Sequence, residues 1–285
     1  MKITNIMKER MSFSFEIFPP KSHKPIEPLL KILDDLYDLK PDLISCTYGA
    51  GGSNAGLNME ICKAIKDSNR IIPMTHYTCI GNTREKIKSE LNQYLQIGVN
   101  HILALRGDYP KGQRSTGGDF NYANELIAYI REEFPEFCIA VSGNPEKHYE
   151  ANSFDSDITY LRMKQDAGGD FIMTQLCYDI DQYSWWVERI RRAGVKLPIN
   201  VGIMPVLNKD VIIKMTLQNG SSIPRDLAEI ISRYGDNNED FKKAGIDYTI
   251  NQIHKYINTG VNGLHIYTLN NYDDILKIVK GAGLR

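Results

Sequence analysis

The chain has 285 residues, 42% hydrophobic and 24% charged, with a formal net charge of −1. That is enough apolar material for a sizeable core, and it offers no basic footprint for nucleic acid or an anionic membrane. No apolar run approaches the roughly 20 residues of a membrane span, and residues 1–11 lack the hydrophobic centre of a signal peptide. Cys46, Cys62, Cys79, Cys138 and Cys177 are scattered without CxxC spacing. Such usage fits reduced thiols in a cytoplasm and gives no zinc site, and four of the five fall in or beside apolar strands as small core residues.

The first β-rich run is Ser12–Phe18, closed by Pro19 and Pro20. Period-two alternation puts Ser12, Ser14 and Glu16 on one face and Phe13, Phe15 and Ile17 on the other. Burial at that strand end is expected to push the Glu16 carboxyl upward, as suits a general acid near neutrality. Further short β-rich runs follow at Leu43–Thr47, Ile71–Tyr77, His101–Arg106, Phe137–Ser142, Phe171–Leu176, Ile199–Ile203 and Gly263–Tyr267. Between them lie segments with apolar residues three and four apart, such as Pro28–Leu39, Thr83–Ile97, Tyr122–Phe134, Ile158–Asp166 and Tyr183–Ala193, which read as helices. The interval before the last strand is long. It holds Asp210–Gln218, Ser222–Tyr234 and Glu239–Asn258, enough for three helices. Strands alternating with helices eight times over predict a closed (β/α)₈ barrel better than an open doubly wound sheet. No linker or low-complexity block divides the chain, so residues 1–285 read as one catalytic barrel with extra helices between strands seven and eight.

A barrel gathers function at the C-terminal ends of its strands. Those ends carry Glu16, Thr47-Tyr48-Gly49-Ala50, His76, Arg106-Gly107-Asp108, Ser142 to His148, Gln175 and Tyr267-Thr268. Glu16 and Asp108 are paired acids on different strands, which could suggest glycoside hydrolysis. Sugar sites are lined by aromatics, however, and Trp185 and Trp186 both lie inside a helix. His76, Asp108 and His148 form a possible metal set, but no HxH or HExxH spacing supports it, and no metal is expected. Gly107 permits close backbone approach by a planar ligand, Arg106 can answer a phosphate or carbonyl, and Asp108 can stabilise a cation. The same residues also make good turn chemistry. The stretch Gly143–Asp155 and the helix carrying Asp157, Arg162 and Lys164 could close over an extended cofactor. With no GxGxxG or Walker pattern, a nucleotide would need its own mode of binding.

Five segments in register carry a resemblance: Ser14-Phe15-Glu16-Ile17-Phe18-Pro19-Pro20, Thr47-Tyr48-Gly49-Ala50, His76-Tyr77-Thr78-Cys79, Ala104-Leu105-Arg106-Gly107-Asp108 and Gly263 through Asn270. Together they resemble the methylenetetrahydrofolate reductase family in its short bacterial form. The resemblance implies reduction of 5,10-methylenetetrahydrofolate to 5-methyltetrahydrofolate by a bound flavin, FAD with FMN as the alternative, recharged by NAD(P)H. It further implies self-association into a homo-oligomer. By the same resemblance Glu16 is the acid that protonates the bridging folate nitrogen, and Asp108 stands between flavin and pterin. Gln175 contacts folate and donor, and Tyr267 joins the folate site. Thr47, Tyr48, Ala50, His76, Arg106, Gly107, Asp108, Tyr122, Ala123, His148, Ala151, Asp157 and Lys164 fall on flavin-lining positions.

The chain also departs from the family pattern. Asn144 stands where an aromatic is usual, and Tyr160 and Met163 replace polar or basic residues facing the flavin pyrophosphate. Lys209 aligns with the aromatic that stacks on nicotinamide, and Asn271 replaces an arginine. These changes favour a second reading, in which a partner subunit supplies the electrons as in one-carbon pathways of anaerobes. A third reading, a folate- or flavin-binding protein without turnover, is opposed by the retained Glu16 and Asp108.

Overall fold

Along β1 (Ser12–Ile17), Phe13, Phe15 and Ile17 point outward into the main apolar core, while Ser14 reaches inward to residues of two other strands. That division repeats around the molecule. The protein, here a computed structural model, is described over residues 2–21, 23–48, 55–109 and 117–285. β1 is followed by β2 (Leu43–Cys46), β3 (Ile72–Thr78), β4 (His101–Leu105), β5 (Cys138–Gly143), β6 (Phe171–Thr174), β7 (Ile199–Ile203) and β8 (Gly263–Tyr267). All pairs are parallel, neighbours follow chain order, and β8 closes on β1 with Glu16 in register with Tyr267. The expected (β/α)₈ barrel is what the chain forms, with each strand within two residues of its sequence-read position.

Among the described residues eleven helices surround the barrel. They are α1 (Ile3–Glu9), α2 (Glu27–Tyr37), α3 (Ala55–Asp67), α4 (Arg84–Gln96), α5 (Ala123–Glu133), α6 (Phe154–Asp166), α7 (Ile180–Arg192), α8 (Lys209–Asn219), α9 (Arg225–Tyr234), α10 (Asn238–Asn258) and α11 (Tyr272–Gly281). Outward strand residues such as Phe15, Ile44, Ile102, Val141 and Leu264 pack against inward helix faces such as Leu33, Ile61, Leu91 and Ile130, all fully or almost fully buried. Each such side chain contributes about 1.5–3 kcal/mol by leaving water. The long interval before β8 holds α8, α9 and α10, as its periodicity indicates.

Sequence reading did not separate α1 from the polar N-terminus. It is short, with no side-chain cap at its start. Its Ile3 and Met7 nonetheless close the lower end of the barrel against Leu43, Met74, Leu103, Cys138 and Phe171, and the Ile3 N–H donates to Nε2 of buried His101 at 3.1 Å. The lower end of the barrel is therefore plugged by an apolar cluster on its β2–β6 side. No described helix is long and apolar enough to cross a membrane. All five cysteines are buried and free.

Candidate active site

Eight parallel strands put all their C-terminal ends on one rim, and Glu16 reaches into the mouth there from β1. Thr268 holds the Glu16 carbonyl through its N–H and its hydroxyl, at 3.0 and 2.7 Å. The carboxylate Oε2 lies 3.5 Å from Nε2 of His76 on β3 and 3.6 Å from Nε2 of His265 on β8. Ser45 on β2 sits between the two rings, its Oγ 3.2 Å from each Nε2. On the other side of His265, Nδ1 lies 2.8 Å from Oγ of Ser14. The Ser14 hydroxyl donates to the Leu264 carbonyl at 3.0 Å and accepts from Nδ2 of Asn200 at 3.1 Å. With its single hydrogen on that carbonyl, the hydroxyl has a lone pair to accept from an Nδ1–H of His265.

The expectation of a raised Glu16 pKa is corrected here. Burial does push the carboxyl up, but a hydrogen bond from His265 and the charges of His76 and His265 outweigh it, and the net direction is downward. The strand pattern foretold the burial; it could not foretell two imidazoles arriving from β3 and β8. Burial draws His76 downward, against the pull of Glu16, so this ring stands neutral at neutral pH.

Around the rim the expected flavin-lining residues divide. Arg106 grips Glu150 with two guanidinium nitrogens at 2.5 and 3.1 Å and lies over the Tyr109 ring at 4.3 Å. Asp108, just beyond β4, is exposed at the mouth. Gly107 between them has φ +88°, and a Cβ there would lie 2.6 Å from Cγ2 of Ile80, so only glycine fits without displacement. Beside it the Thr78 hydroxyl is buried with no hydrogen-bond partner among the described residues. The His148 N–H donates to Asp157 at 3.3 Å and the Ala151 N–H to the His148 carbonyl at 2.9 Å. Nζ of Lys164 donates to the carbonyl and hydroxyl of Ser142 at 2.8 and 3.1 Å. Burial lowers this ammonium to about 8, with Asp157 pulling the other way.

Other expected residues turn elsewhere. Tyr48 is buried between barrel and helices, its hydroxyl donating to Glu90 of α4 at 2.9 Å, so its side chain does not line the mouth. An outward residue of a parallel strand end faces the helix layer, which the motif alone could not reveal. Thr47 holds its place through its carbonyl, which accepts from buried Asn58 at 3.0 Å. Tyr122 is exposed at the start of α5, next to Ala123. Tyr267 spends its hydroxyl on the Thr174 carbonyl across the barrel at 3.1 Å and meets the His265 ring edge-on. Ala50 lies outside the described residues.

Gln175, just past β6, is set by residues that sequence reading left unassigned. Its Oε1 accepts from the Leu176 N–H and its Nε2 donates to Asn219 at the end of α8, both at 2.9 Å. Ser222, in the next turn, hydrogen-bonds Glu146 in the loop after β5 through both N–H and hydroxyl. The helices inserted before β8 therefore lean over the β5–β6 side of the mouth. Lys209 pairs with Asp236 at the turn between α9 and α10, and Asn271 caps α11 through Asp274. Tyr160 and Met163 are exposed on α6. His265, Ser14, Ser45 and Asn200 received no role from sequence, although His265 stands inside a quoted motif. The one available signal was polar residues at alternate positions of β1, β2, β7 and β8.

Residues 2–283 match the family model described as methylenetetrahydrofolate reductase. The chain is 35% identical over 297 residues to methylenetetrahydrofolate reductase (NADH) 1 of Arabidopsis thaliana, covering 99% of this chain and 50% of that one. It thus spans about half the length of this relative. It is 32% identical over 276 residues to the 5,10-methylenetetrahydrofolate reductase of Escherichia coli K12, covering 97% of this chain and 92% of that one. Among solved structures, an uncharacterised protein from Clostridium thermocellum that binds two copies of 5-methyl-5,6,7,8-tetrahydrofolic acid superposes with TM-score 0.69 at 14% identity, over 98% of this chain and 97% of that one. At that identity the likeness concerns the fold.

Proposed function

The chain belongs to the methylenetetrahydrofolate reductase family, and on that premise we propose that it reduces 5,10-methylenetetrahydrofolate to 5-methyltetrahydrofolate with a bound flavin. The observation that carries this reading is the Glu16 carboxylate, held between two imidazoles at the inner mouth of the barrel, on the same rim as Asp108 and Gln175.

The residues of the β3–β5 rim fit a flavin. The orphaned Thr78 hydroxyl can meet a polar ring edge, and Gly107 lets a planar ring approach the backbone. Lys164 is a partly buried cation whose lowered pKa marks a site that gains from an anion. When bound, the flavin supplies the hydride. Thr78, His76, Arg106, His148 and Lys164 would hold it, Lys164 toward its phosphates.

The chain's own residues prepare the folate. Glu16 delivers a proton to the bridging nitrogen, which opens the five-membered ring to an electrophilic cation. Asp108 holds negative charge at the mouth, where such a cation is stabilised. Gln175 arrives with its carbonyl oxygen and one amide hydrogen engaged, which leaves its other amide hydrogen for the substrate. Folding of α8 to α10 over the β5–β6 side of the mouth restricts water there.

NAD(P)H is the proposed electron source, in keeping with the NADH in the plant relative's name. Lys209 and Asn271 favour a second source, a partner subunit. Lys209 offers no aromatic face for nicotinamide and turns to Asp236, while Asn271 is spent as a helix cap. Steady-state turnover of the flavin-loaded chain with NADH, NADPH and an artificial dye separates the readings. Turnover with a pyridine nucleotide establishes the free-standing reductase, and turnover with dye alone establishes the partner-fed enzyme. Flavin and folate binding without turnover by any donor refutes the proposal.

A further inference from the structure

β6 and β7 share the shortest ladder in the barrel. They pair only at Ile172 with Ile199 and at Met173 with Asn200, whereas β7 and β8 pair at four positions. Beyond that ladder the Gly202 N–H donates to the Thr174 hydroxyl at 3.0 Å, and the Thr174 carbonyl accepts from the Tyr267 hydroxyl at 3.1 Å. The chain leaving β6 through Cys177 and Tyr178 and the chain running through Gly202, Ile203 and Met204 border a small cavity. Tyr248, Thr249, Gln252 and Tyr256 of α10 complete its lining. We infer that this cavity binds one water molecule, which donates a hydrogen bond to Oε1 of Gln252 and joins α10 to the seam between β6 and β7.

Size, polarity and hydrogen-bond direction each point to water. The cavity leaves about 10 Å³ for the centre of a water molecule, close to the least that holds one and too little for anything larger. Gln252 is 4% exposed, and its Oε1 has no hydrogen-bond partner among the described residues. A buried carbonyl oxygen without a donor is costly. The side chain cannot easily turn away, because Tyr248, Gln252 and Tyr256 follow at four-residue spacing on one buried face of α10.

The neighbouring hydroxyls have their hydrogens placed elsewhere. Tyr178 donates to the Met204 carbonyl at 3.2 Å, Tyr256 to the Cys177 carbonyl, and Tyr248 to Asp226 at 3.4 Å. Thr249 donates to the Gly245 carbonyl at 2.7 Å, and the Cys177 thiol to the Asp179 carbonyl at 3.2 Å. These groups therefore offer lone pairs, and what enters between them must bring hydrogens. No residue lining the cavity is a carboxylate, so a cation would be buried there without a counter-charge. A neutral molecule of one heavy atom with two hydrogens meets every condition. One hydrogen goes to Gln252 and the other to the lone pair of a lining phenol.

The position of the site gives the water a task. Leu176, Cys177 and Tyr178 directly follow Gln175, and the Leu176 N–H holds the Gln175 oxygen at 2.9 Å. Tyr256 already fastens the Cys177 carbonyl to α10. The water adds a second tie where the strand ladder has ended. The site belongs to the fold and stands apart from the reaction proposed above.

A crystal structure of the full chain, at a resolution that shows ordered water, tests this directly. One peak inside the cavity, about 2.7–3.2 Å from Oε1 of Gln252, is the expected result, and a crystal of Gln252→Met should lack it. A cavity without that peak, or a Gln252 oxygen bonded to a donor of the protein, overturns the inference. Urea unfolding supplies an independent sign. Methionine is close to glutamine in volume and has only a weak acceptor. Where water satisfies Oε1, Gln252→Met discards a hydrogen bond and the unfolding midpoint falls. Where the oxygen is an orphan, the same change removes a buried unpaired group and the midpoint rises. A raised midpoint therefore also overturns the inference. If Gln252→Met does not fold, the wild-type crystal alone decides.

Discussion

Gly107 lies between the two charged residues of the β4 rim, and its replacement by alanine tests how tightly that rim is built. Its φ of +88° places an L residue in the left-handed region, at a cost of about 1–2 kcal/mol. The added methyl would lie 2.6 Å from Cγ2 of Ile80 and 3.1 Å from Cβ of Thr78. Ile80 is 4% exposed and cannot swing aside, so overpacking adds about 1–3 kcal/mol. Gly81, in the turn after β3, supplies the control: its φ is +70°, but no heavy atom lies within 4 Å of a Cβ built there. Gly81→Ala therefore carries only the backbone cost of about 1–2 kcal/mol, against about 2–5 kcal/mol for Gly107→Ala. Both substitutions restrict the unfolded chain alike, so that contribution cancels in the difference. Urea unfolding of the two variants should show Gly107→Ala less stable by about 1–3 kcal/mol, with unchanged slope. Loss of flavin retention should accompany it, because Arg106 and Asp108 flank the displaced backbone. Equal destabilisation of the two variants, within about 0.5 kcal/mol, would refute the close packing of Gly107.

Three further outcomes are expected. Glu16→Gln should retain flavin and its reduction by a suitable donor while losing on the order of 10²–10⁴-fold in folate turnover; a variant within about threefold of wild type removes Glu16 from the reaction. Asp108→Asn should slow folate reduction by roughly 3–4 kcal/mol of barrier and make the flavin easier to reduce, since a nearby anion opposes a reduced, anionic ring. A flavin potential unmoved in dye equilibration would contradict contact between the two. Lys164 has its pKa lowered from 10.5 to about 8 by burial, so between these values the unfolded chain holds a proton that the folded chain has released. Wild-type stability should therefore rise relative to Lys164→Met from pH 8 to pH 10.5, by at most about 3 kcal/mol at roughly 1.4 kcal/mol per decade. Paired urea unfolding at pH 7 and 10 measures it, and a pH-independent difference between the two proteins excludes a strained ammonium.

Much of this molecule is written in local periodicity. Ser12–Ile17 alternates because a strand buries one face on helices and turns the other into the barrel. Arg84–Gln96 begins after Thr83, whose hydroxyl accepts from the Lys86 N–H, a signal visible in the sequence. The count of such units foretold barrel closure, and closure alone puts Glu16, Asp108 and Gln175 on one rim. Tertiary structure decided what local signals could not carry. Ile3 and Met7 become a plug only because five strands, β2 to β6, offer apolar residues beneath them. The Tyr48 phenol turns to Glu90 because the layer outside β2 and β3 has room for it. Above all, Ser14 meets His265 and Asn200 across separations of 251 and 186 residues, and His265 together with His76 reverses the expected direction of the Glu16 pKa. A residue's burial can be anticipated from its place on a strand, because pleating is local. Its protonation depends on which charges reach it, and those are brought from distant segments only when the barrel closes.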